Sequence, residues 1–372
     1  MKNVLIVGAG FSGAVVAEQL AKTNQFKIKV IDERNHVGGN CHTYRDNETN
    51  IMVHGYGPHI FNTDNQEVWD YIQKFTTMVP YKHQVKAISG GNVYSLPINL
   101  HTINQFFSRK LNPNEALSLL QEKAEYIENP QNFEEQALSF IGEDLYQAFF
   151  YGYTKKQWGC EPKELPASIL KRLPVRLNYN DSYYHSKFVG IPKNGYTEIV
   201  EKMLTSENIH VELNVKYSNS FDSLTYDHIF YTGPIDAFFD YKYGRLGYRT
   251  VEFEKFVADG DFQGCSVMNY CEESVPYTRI HEHKFFTEWE THNKTVYFKE
   301  YSKETEEGDV PFYPKRLERD MKVLEKYIDD VHKLGKYTFL GRLATYRYMD
   351  MHHVIAEALE IAQKFIGSNE CK

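Results

Sequence analysis

The stretch VLIVGAGFSG at residues 4–13 constrains the fold more than any other part of this 372-residue chain. Apolar residues run without a polar break into Gly8, Gly10 and Gly13, as in a parallel strand buried on both faces. Residues 11–22 (FSGAVVAEQLAK) place Val15, Val16 and Leu20 at helical spacing, and a second apolar run, residues 28–32, ends on Asp32. Strand, glycine turn, helix and strand with a terminal acid make a βαβ unit of the length that a dinucleotide-binding turn needs. Gly8 permits the tight turn, Gly10 lets a pyrophosphate approach the backbone, and Gly13 lets the helix pack on the sheet. The pyrophosphate would sit on the helix N-terminus, and Asp32 would hold ribose hydroxyls. A glycine turn without a ligand is the competing reading, and the acid on the second strand weighs against it. The same acid would repel the 2′-phosphate of NADP.

The rest of the chain does not continue this pattern. Residues 66–75 read as a helix and 83–97 as a hairpin turned by Gly90 and Gly91. From about 100 to 170 the periodicity is helical, and residues 246–300 alternate as in an antiparallel sheet. Residues 303–309 (KETEEGD) read as an exposed loop, 315–333 as a helix, and the end as a strand, a turn and a helix from 351 to 366. The expected fold is therefore α/β: a Rossmann-like dinucleotide-binding domain (1–80 with 190–235 and 320–372), an inserted helical domain (98–189) and an antiparallel β-sheet domain (81–97 with 236–319).

Composition excludes several classes. The formal net charge of −8 argues against nucleic acid as a partner. The five cysteines form no CxxC pair, so neither a disulfide framework nor a zinc site is supported. Adjacent His352 and His353 would point apart on a helix, no other metal spacing appears, and the expected metal is none. No run approaches a membrane-spanning length, and the expected location is the cytoplasm. There is no GxSxG elbow or Cys–His pairing for nucleophilic hydrolysis.

Two clusters carry possible chemistry. In FFYGYTKKQWG (149–159), Phe149, Phe150, Tyr153 and Trp158 could hold a planar base, with Gln157 reading its edge. The plainer reading, a core stripe of one helix, is favoured by spacing alone. Arginine also sits repeatedly beside tyrosine: KRLPVRLNYNDSYY (171–184), GYRTVEF (247–253), PYTRIHEH (276–283), PFYPKR (311–316) and LGRLATYRYMDM (340–351). In an acidic protein such a set suits a diphosphate, because the guanidinium fork grips phosphate oxygens two at a time.

The pair Gly38–Gly39 followed by Asn40 resembles the loop after the acidic residue in FAD-binding amine-oxidase-type chains. Beyond that, GYGPHIF (55–61), SLPINLHTINQFF (95–107), FFYGYTKKQWG, LKRLPVRLNYNDSYY (170–184), RLGYRTVEFE (245–254), PYTRIHEH and LGRLATYRYMDM closely resemble bacterial UDP-galactopyranose mutases, in order and over essentially the whole chain. The resemblance implies an FAD enzyme, active with reduced flavin, that interconverts UDP-galactopyranose and UDP-galactofuranose for cell-surface polysaccharide synthesis. In that family N5 of the flavin attacks the anomeric carbon. It implies diphosphate contacts from Arg172 on a mobile loop, Arg279, Tyr183, Tyr313 and Tyr348, with Arg172 and Arg279 in catalytic roles. It implies uridine contacts from Phe149, Phe150, Tyr153, Gln157 and Trp158, and further substrate-side positions at Arg249 and Asn269. FAD contacts fall at Gly8, Gly10, Gly13, Asp32, Gly39, Asn40, Arg342, Asp350 and Met351, and His59, also given a catalytic role, lies near the isoalloxazine and tunes the reduced flavin as a hydrogen-bond partner rather than a proton shuttle. Asn62 and His83 depart from the family pattern around the sugar, so UDP-N-acetylgalactosamine is a candidate second substrate. A homodimer is expected by the same resemblance. The alternative reading is an amine-oxidase-type flavin oxidoreductase.

Overall fold

The structure is a computed structural model that describes residues 1–172, 175–218 and 225–370. Side chains at 168, 171, 172 and 370 lie outside the described residues. The strand Lys2–Val7 sits between Phe26–Asp32 and His228–Tyr231, and Ile209–Leu213 and Tyr337–Phe339 complete a five-stranded sheet at its edges. All four pairings are parallel. The apolar run at 4–7 is buried as its pattern demands. The helix Phe11–Ala21 packs beside Tyr196–Met203 and the carboxy-terminal helix Met351–Glu370, and one continuous core fills the space between them and the sheet.

A seven-stranded sheet forms the second layer system. Its order is Tyr313–Pro314, Tyr248–Asp259, Lys294–Glu304, Arg279–Glu282, Val267–Tyr270, Val85–Ser89, Asn92–Leu96. The alternating segments are antiparallel as expected, except that Val267–Tyr270 runs parallel to Val85–Ser89. That parallel pair joins the early hairpin to the later meander, a connection that alternation within either segment does not encode. A smaller sheet of Phe61–Thr63, Phe188–Pro192 and Met78–Pro80 bridges towards the nucleotide fold.

The helices Leu100–Phe106, Pro113–Lys123 and Phe133–Tyr146 share a separate apolar core. Asn99, Asn112 and Asn132 cap their N-termini with side-chain hydrogen bonds, the role for which Asn is favoured there. The third helix runs into a π-helical turn, Gln147–Tyr151, before Gly152–Trp158. Such one-residue insertions re-aim the side chains that follow. Where a strand and turn were expected at the carboxy end, the strand stops at Phe339 and Gly341–Ala344 forms a short helix. Among the described residues no helix is long and apolar enough to cross a membrane.

Candidate active site

A cavity of about 1510 Å³ joins the parallel sheet to the helical segment and the large sheet. A pocket for one small ligand occupies roughly 300–1,000 Å³, so this cavity has room for two ligands side by side. One part is lined by Gly8, Gly10, Asp32, Arg34, Gly39 and Asn40. The three fingerprint glycines separate physically. A Cβ on Gly13 would meet the Gly8 carbonyl oxygen at 2.0 Å, and one on Gly8, at φ +107°, would meet Thr232 Oγ1 at 2.0 Å. Those two are required by the fold itself. A Cβ on Gly10 would meet nothing of the protein closer than 3.7 Å, so the space it leaves faces the cavity. Asp32 accepts the Ala9 N–H at 2.8 Å and the Arg34 N–H at 2.9 Å, fastening the turn. No side chain caps Phe11–Ala21, whose Phe11 and Ser12 line the cavity. Arg34 binds Asn40 Oδ1 at 2.7 Å and leaves its buried Nη1 without a partner. An uncapped helix start, an unpaired guanidinium nitrogen and a vacant glycine face fit the pyrophosphate of a flavin dinucleotide.

Elsewhere the cavity is lined by Phe149, Phe150, Tyr153 and Trp158, with Tyr183, Asn269, Arg279, Tyr313, Tyr348 and His83. Arg279 is the best-defined cation here. Its Nε donates to Glu300 Oε2 at 2.9 Å, and Glu300 is fully buried. Burial works against the charge on Arg279, but Glu300 more than offsets it and holds the group protonated. With Nε committed, the terminal guanidinium nitrogens are left for a ligand. Asn269 pairs in register with Arg279, and its buried Oδ1 has no partner. Arg342 donates to the Phe312 and Met349 carbonyls, and its guanidinium lies 5.0 Å from the Tyr348 ring centroid. Tyr348 in turn stacks on Tyr313 at 6.1 Å. Asp350 and Met351 also line the cavity.

His59 Nδ1 lies 2.8 Å from the Gly57 carbonyl oxygen. That bond assigns the proton to Nδ1 and leaves Nε2 as an acceptor. Burial pushes its pKa down to about 4, with Arg342 and Arg279 adding to the effect, so the ring is neutral at pH 7. His83 is also buried, its pKa pushed down to about 3, and stacks on Tyr184 at 5.7 Å. Asn62 lines the cavity while its amide is spent on Ile60 O and Ser186 Oγ.

Some sequence expectations fail. Arg249 is 3% exposed and does not line the cavity. Its Nη1 pairs with Glu304 at 2.8 Å, and its Nε and Nη2 reach the carbonyls of Gln157 and Lys156. It ties the end of Gly152–Trp158 to the sheet, a strut and not a substrate contact. Gln157 does not line the cavity either; its backbone carbonyl accepts from Arg249 and Ser302, and its buried side-chain Oε1 has no partner. Gly13 supports the turn from behind the lining. As expected, the segment at 303–309 is largely an exposed loop, beginning where the strand Lys294–Glu304 ends, and its Thr305, Glu306, Gly308 and Asp309 also line the cavity. His352 and His353 do not point apart, their ring centroids being 3.9 Å apart at the start of the last helix. Together with Asp350 they put possible ligand atoms within 4.8 Å of one another. Arg172 ends the 3-10 segment Ala167–Arg172, and its side chain lies outside the described residues.

Sequence reasoning missed Arg34, two residues beyond Asp32, although that spacing could have flagged it. It also missed Glu300, which no motif marks, and the lining segment 214–218.

The parallel sheet, glycine turn and two-ligand cavity define a nucleotide-binding α/β protein of the flavoenzyme type, with a second site opposite the dinucleotide. Comparison narrows this. The family model described as UDP-galactopyranose mutase matches residues 148–348, and one described as NAD(P)-binding Rossmann-like domain matches residues 6–75. A probable UDP-galactopyranose mutase of Klebsiella pneumoniae is 56% identical over 99% of this chain and 95% of its own length. A dTDP-fucopyranose mutase of Escherichia coli is 52% identical over the whole of both chains. A crystal structure of reduced UDP-galactopyranose mutase shares the fold at a TM-score of 0.77, 16% identity, and coverage of 99% of this chain and 94% of that one. The chain belongs to the UDP-galactopyranose mutase family, a family of flavin-dependent isomerases.

Proposed function

We propose that this protein binds FAD in the glycine-lined part of the cavity and, with the flavin reduced, interconverts UDP-galactopyranose and UDP-galactofuranose. The observation that carries the reading is Arg279: a half-buried cation paired with the fully buried Glu300, lining one cavity that is also lined by an aromatic cluster and by a glycine-rich cradle. When bound, reduced flavin supplies an electron-rich nucleophilic nitrogen, which a ring isomerisation without net redox change needs. The chain does the rest. Phe149, Phe150, Tyr153 and Trp158 hold the uracil. Arg279, with Asn269, Tyr183, Tyr313 and Tyr348, grips the diphosphate and fixes the sugar over the flavin. Arg172 joins the diphosphate from the opposite side and helps keep water out. Neutral His59 offers Nε2 as an acceptor beside the isoalloxazine, and Arg342, Asp350 and Met351 complete the flavin contacts. UDP-N-acetylgalactosamine is a second substrate in this reading. We place the enzyme in the cytoplasm as a homodimer that feeds cell-surface polysaccharide synthesis.

The E. coli relative favours a rival substrate, dTDP-fucopyranose. The test is turnover of UDP-galactofuranose, and of dTDP-fucopyranose, with and without dithionite, followed by nucleotide chromatography. Conversion of the UDP-sugar only under reduction supports the proposal. Conversion of the dTDP-sugar alone transfers it to the rival, and no conversion of either, with flavin bound, overturns both.

A further inference from the structure

Lys156 is a lysine with no ligand to hold and an unusual set of partners. It lies on Gly152–Trp158, beside the base-binding aromatics. Its Nζ donates to four backbone carbonyls: Tyr270 at 2.7 Å, Glu272 at 2.8 Å, Val275 at 2.9 Å and Tyr277 at 3.0 Å. All four belong to the connection between Val267–Tyr270 and Arg279–Glu282, the hairpin that presents Asn269 and Arg279. An ammonium has three hydrogens and no acceptor capacity, so four carbonyls converging on it form a cage for a cation. Burial pulls its pKa down to about 8 against the opposing pull of Cys271, Glu272 and Glu273.

The fit between helix and hairpin is close elsewhere too. A Cβ on Gly152 would meet the Cys271 carbonyl at 2.4 Å and the Glu273 nitrogen at 3.1 Å. Lys155, next in sequence, bridges Glu161 and Glu273 at 2.9 and 3.1 Å. Contacts from Gly152, Lys155 and Lys156 thus seat the base-binding helix on the hairpin that carries the diphosphate-binding arginine.

We infer that Lys156 is a positioning residue that sets the base subsite at a fixed distance from the diphosphate subsite, so that a nucleoside diphosphate engages both at once. It touches neither the base nor the phosphates. Its contribution is the effective concentration of one subsite for a ligand already held by the other. Two fragments of the ligand, each bound alone, do not need that distance. The intact ligand does.

This inference rests on the nucleotide-sugar reading, and the experiment separates the two. Inhibition constants for UDP, dTDP, uridine, thymidine and inorganic pyrophosphate are measured on reduced holoenzyme of wild type, Lys156→Met and Gly152→Ala. The two variants attack the same seating at different points of one helix, and only preparations retaining stoichiometric flavin are compared. The expected result is that the preferred nucleoside diphosphate weakens about tenfold or more, the equivalent of ~1.4 kcal/mol, while the nucleoside and pyrophosphate each change less than about threefold. If the diphosphate weakens no more than one fragment does, Lys156 serves a single subsite and the inference fails. If nothing weakens in either variant, it fails outright. A wild type that binds no nucleoside diphosphate breaks the underlying functional reading instead.

Discussion

The two halves of the cavity are built by opposite means. The dinucleotide cradle is made of backbone from one stretch, residues 8–40, in which Gly8, Gly10, Asp32, Gly39 and Asn40 lie on consecutive elements. The other side is made of side chains from separate segments spread between His59 and Tyr348. Backbone sites tolerate no added atoms but need little chemistry from their residues. Side-chain sites depend on single charged groups and on the buried partners that aim them. The difference teaches where each half is vulnerable: the first to a methyl group, the second to a lost charge.

The sharpest way to break the comparison is inside the fingerprint. Gly13→Ala puts a methyl 2.0 Å from a backbone oxygen, so little soluble protein is expected. Gly10→Ala meets protein only at ordinary contact distance. It should fold with a near-native circular dichroism spectrum and fail to retain flavin, as absorbance at 450 nm would report. Equal flavin loading in Gly10→Ala and wild type would refute the cradle.

Next in size is Arg279→Ala. It removes the cation proposed to grip the diphosphate and strands the buried Glu300, a loss of the order of 3–5 kcal/mol when a buried charge loses its partner. The expected kcat/KM falls about a thousandfold or more with flavin retained. Arg172→Ala, which tests the proposed lid contact, should lower kcat/KM by roughly a hundredfold with flavin retained. Full turnover in Arg172→Ala would sink the lid role.

The smallest effect concerns pH. His54, His59, His83, His281 and His283 are all held below their ordinary pKa, chiefly by burial. The unfolded chain therefore binds more protons as pH falls below about 6.5. Stability is complete above that value and is lost as pH drops towards the folded-state values near 4 for His59 and near 3 for His83. Thermal midpoints should be flat between pH 7 and 8 and fall progressively from pH 6.5 to 4. The rate should show no inflection from His59 between pH 6 and 8. Such an inflection would mean that His59 moves a proton.

The same contrast explains what was legible. The parallel sheet and the cradle could be read from residues 4–32, because strand, turn and acid are local and their geometry follows from glycine and burial. Phe149 is both things the sequence allowed: it packs edge-on against Tyr94 at 5.1 Å and lines the cavity. The substrate side was legible only through motifs resembling a family, since nothing local says that Arg279 and Tyr153 meet. Arg249 shows the limit of that route. An arginine beside a tyrosine fits a phosphate grip on paper, yet this one is consumed by Glu304 and two carbonyls. A buried partner such as Glu300 leaves no trace in spacing at all.

The edge strand Tyr337–Phe339 pairs with His228–Tyr231, and Arg342, Tyr348, Asp350 and Met351 follow within a dozen residues. During synthesis, the segment that closes the nucleotide sheet thus leaves the ribosome more than three hundred residues after the glycine turn it serves. A growing chain holds an unfinished sheet edge and an open cradle for most of its translation. A complete cradle therefore waits for residues 337–351, and a chain cut short before residue 337 lacks both the last strand of the sheet and the cavity-lining residues that follow it.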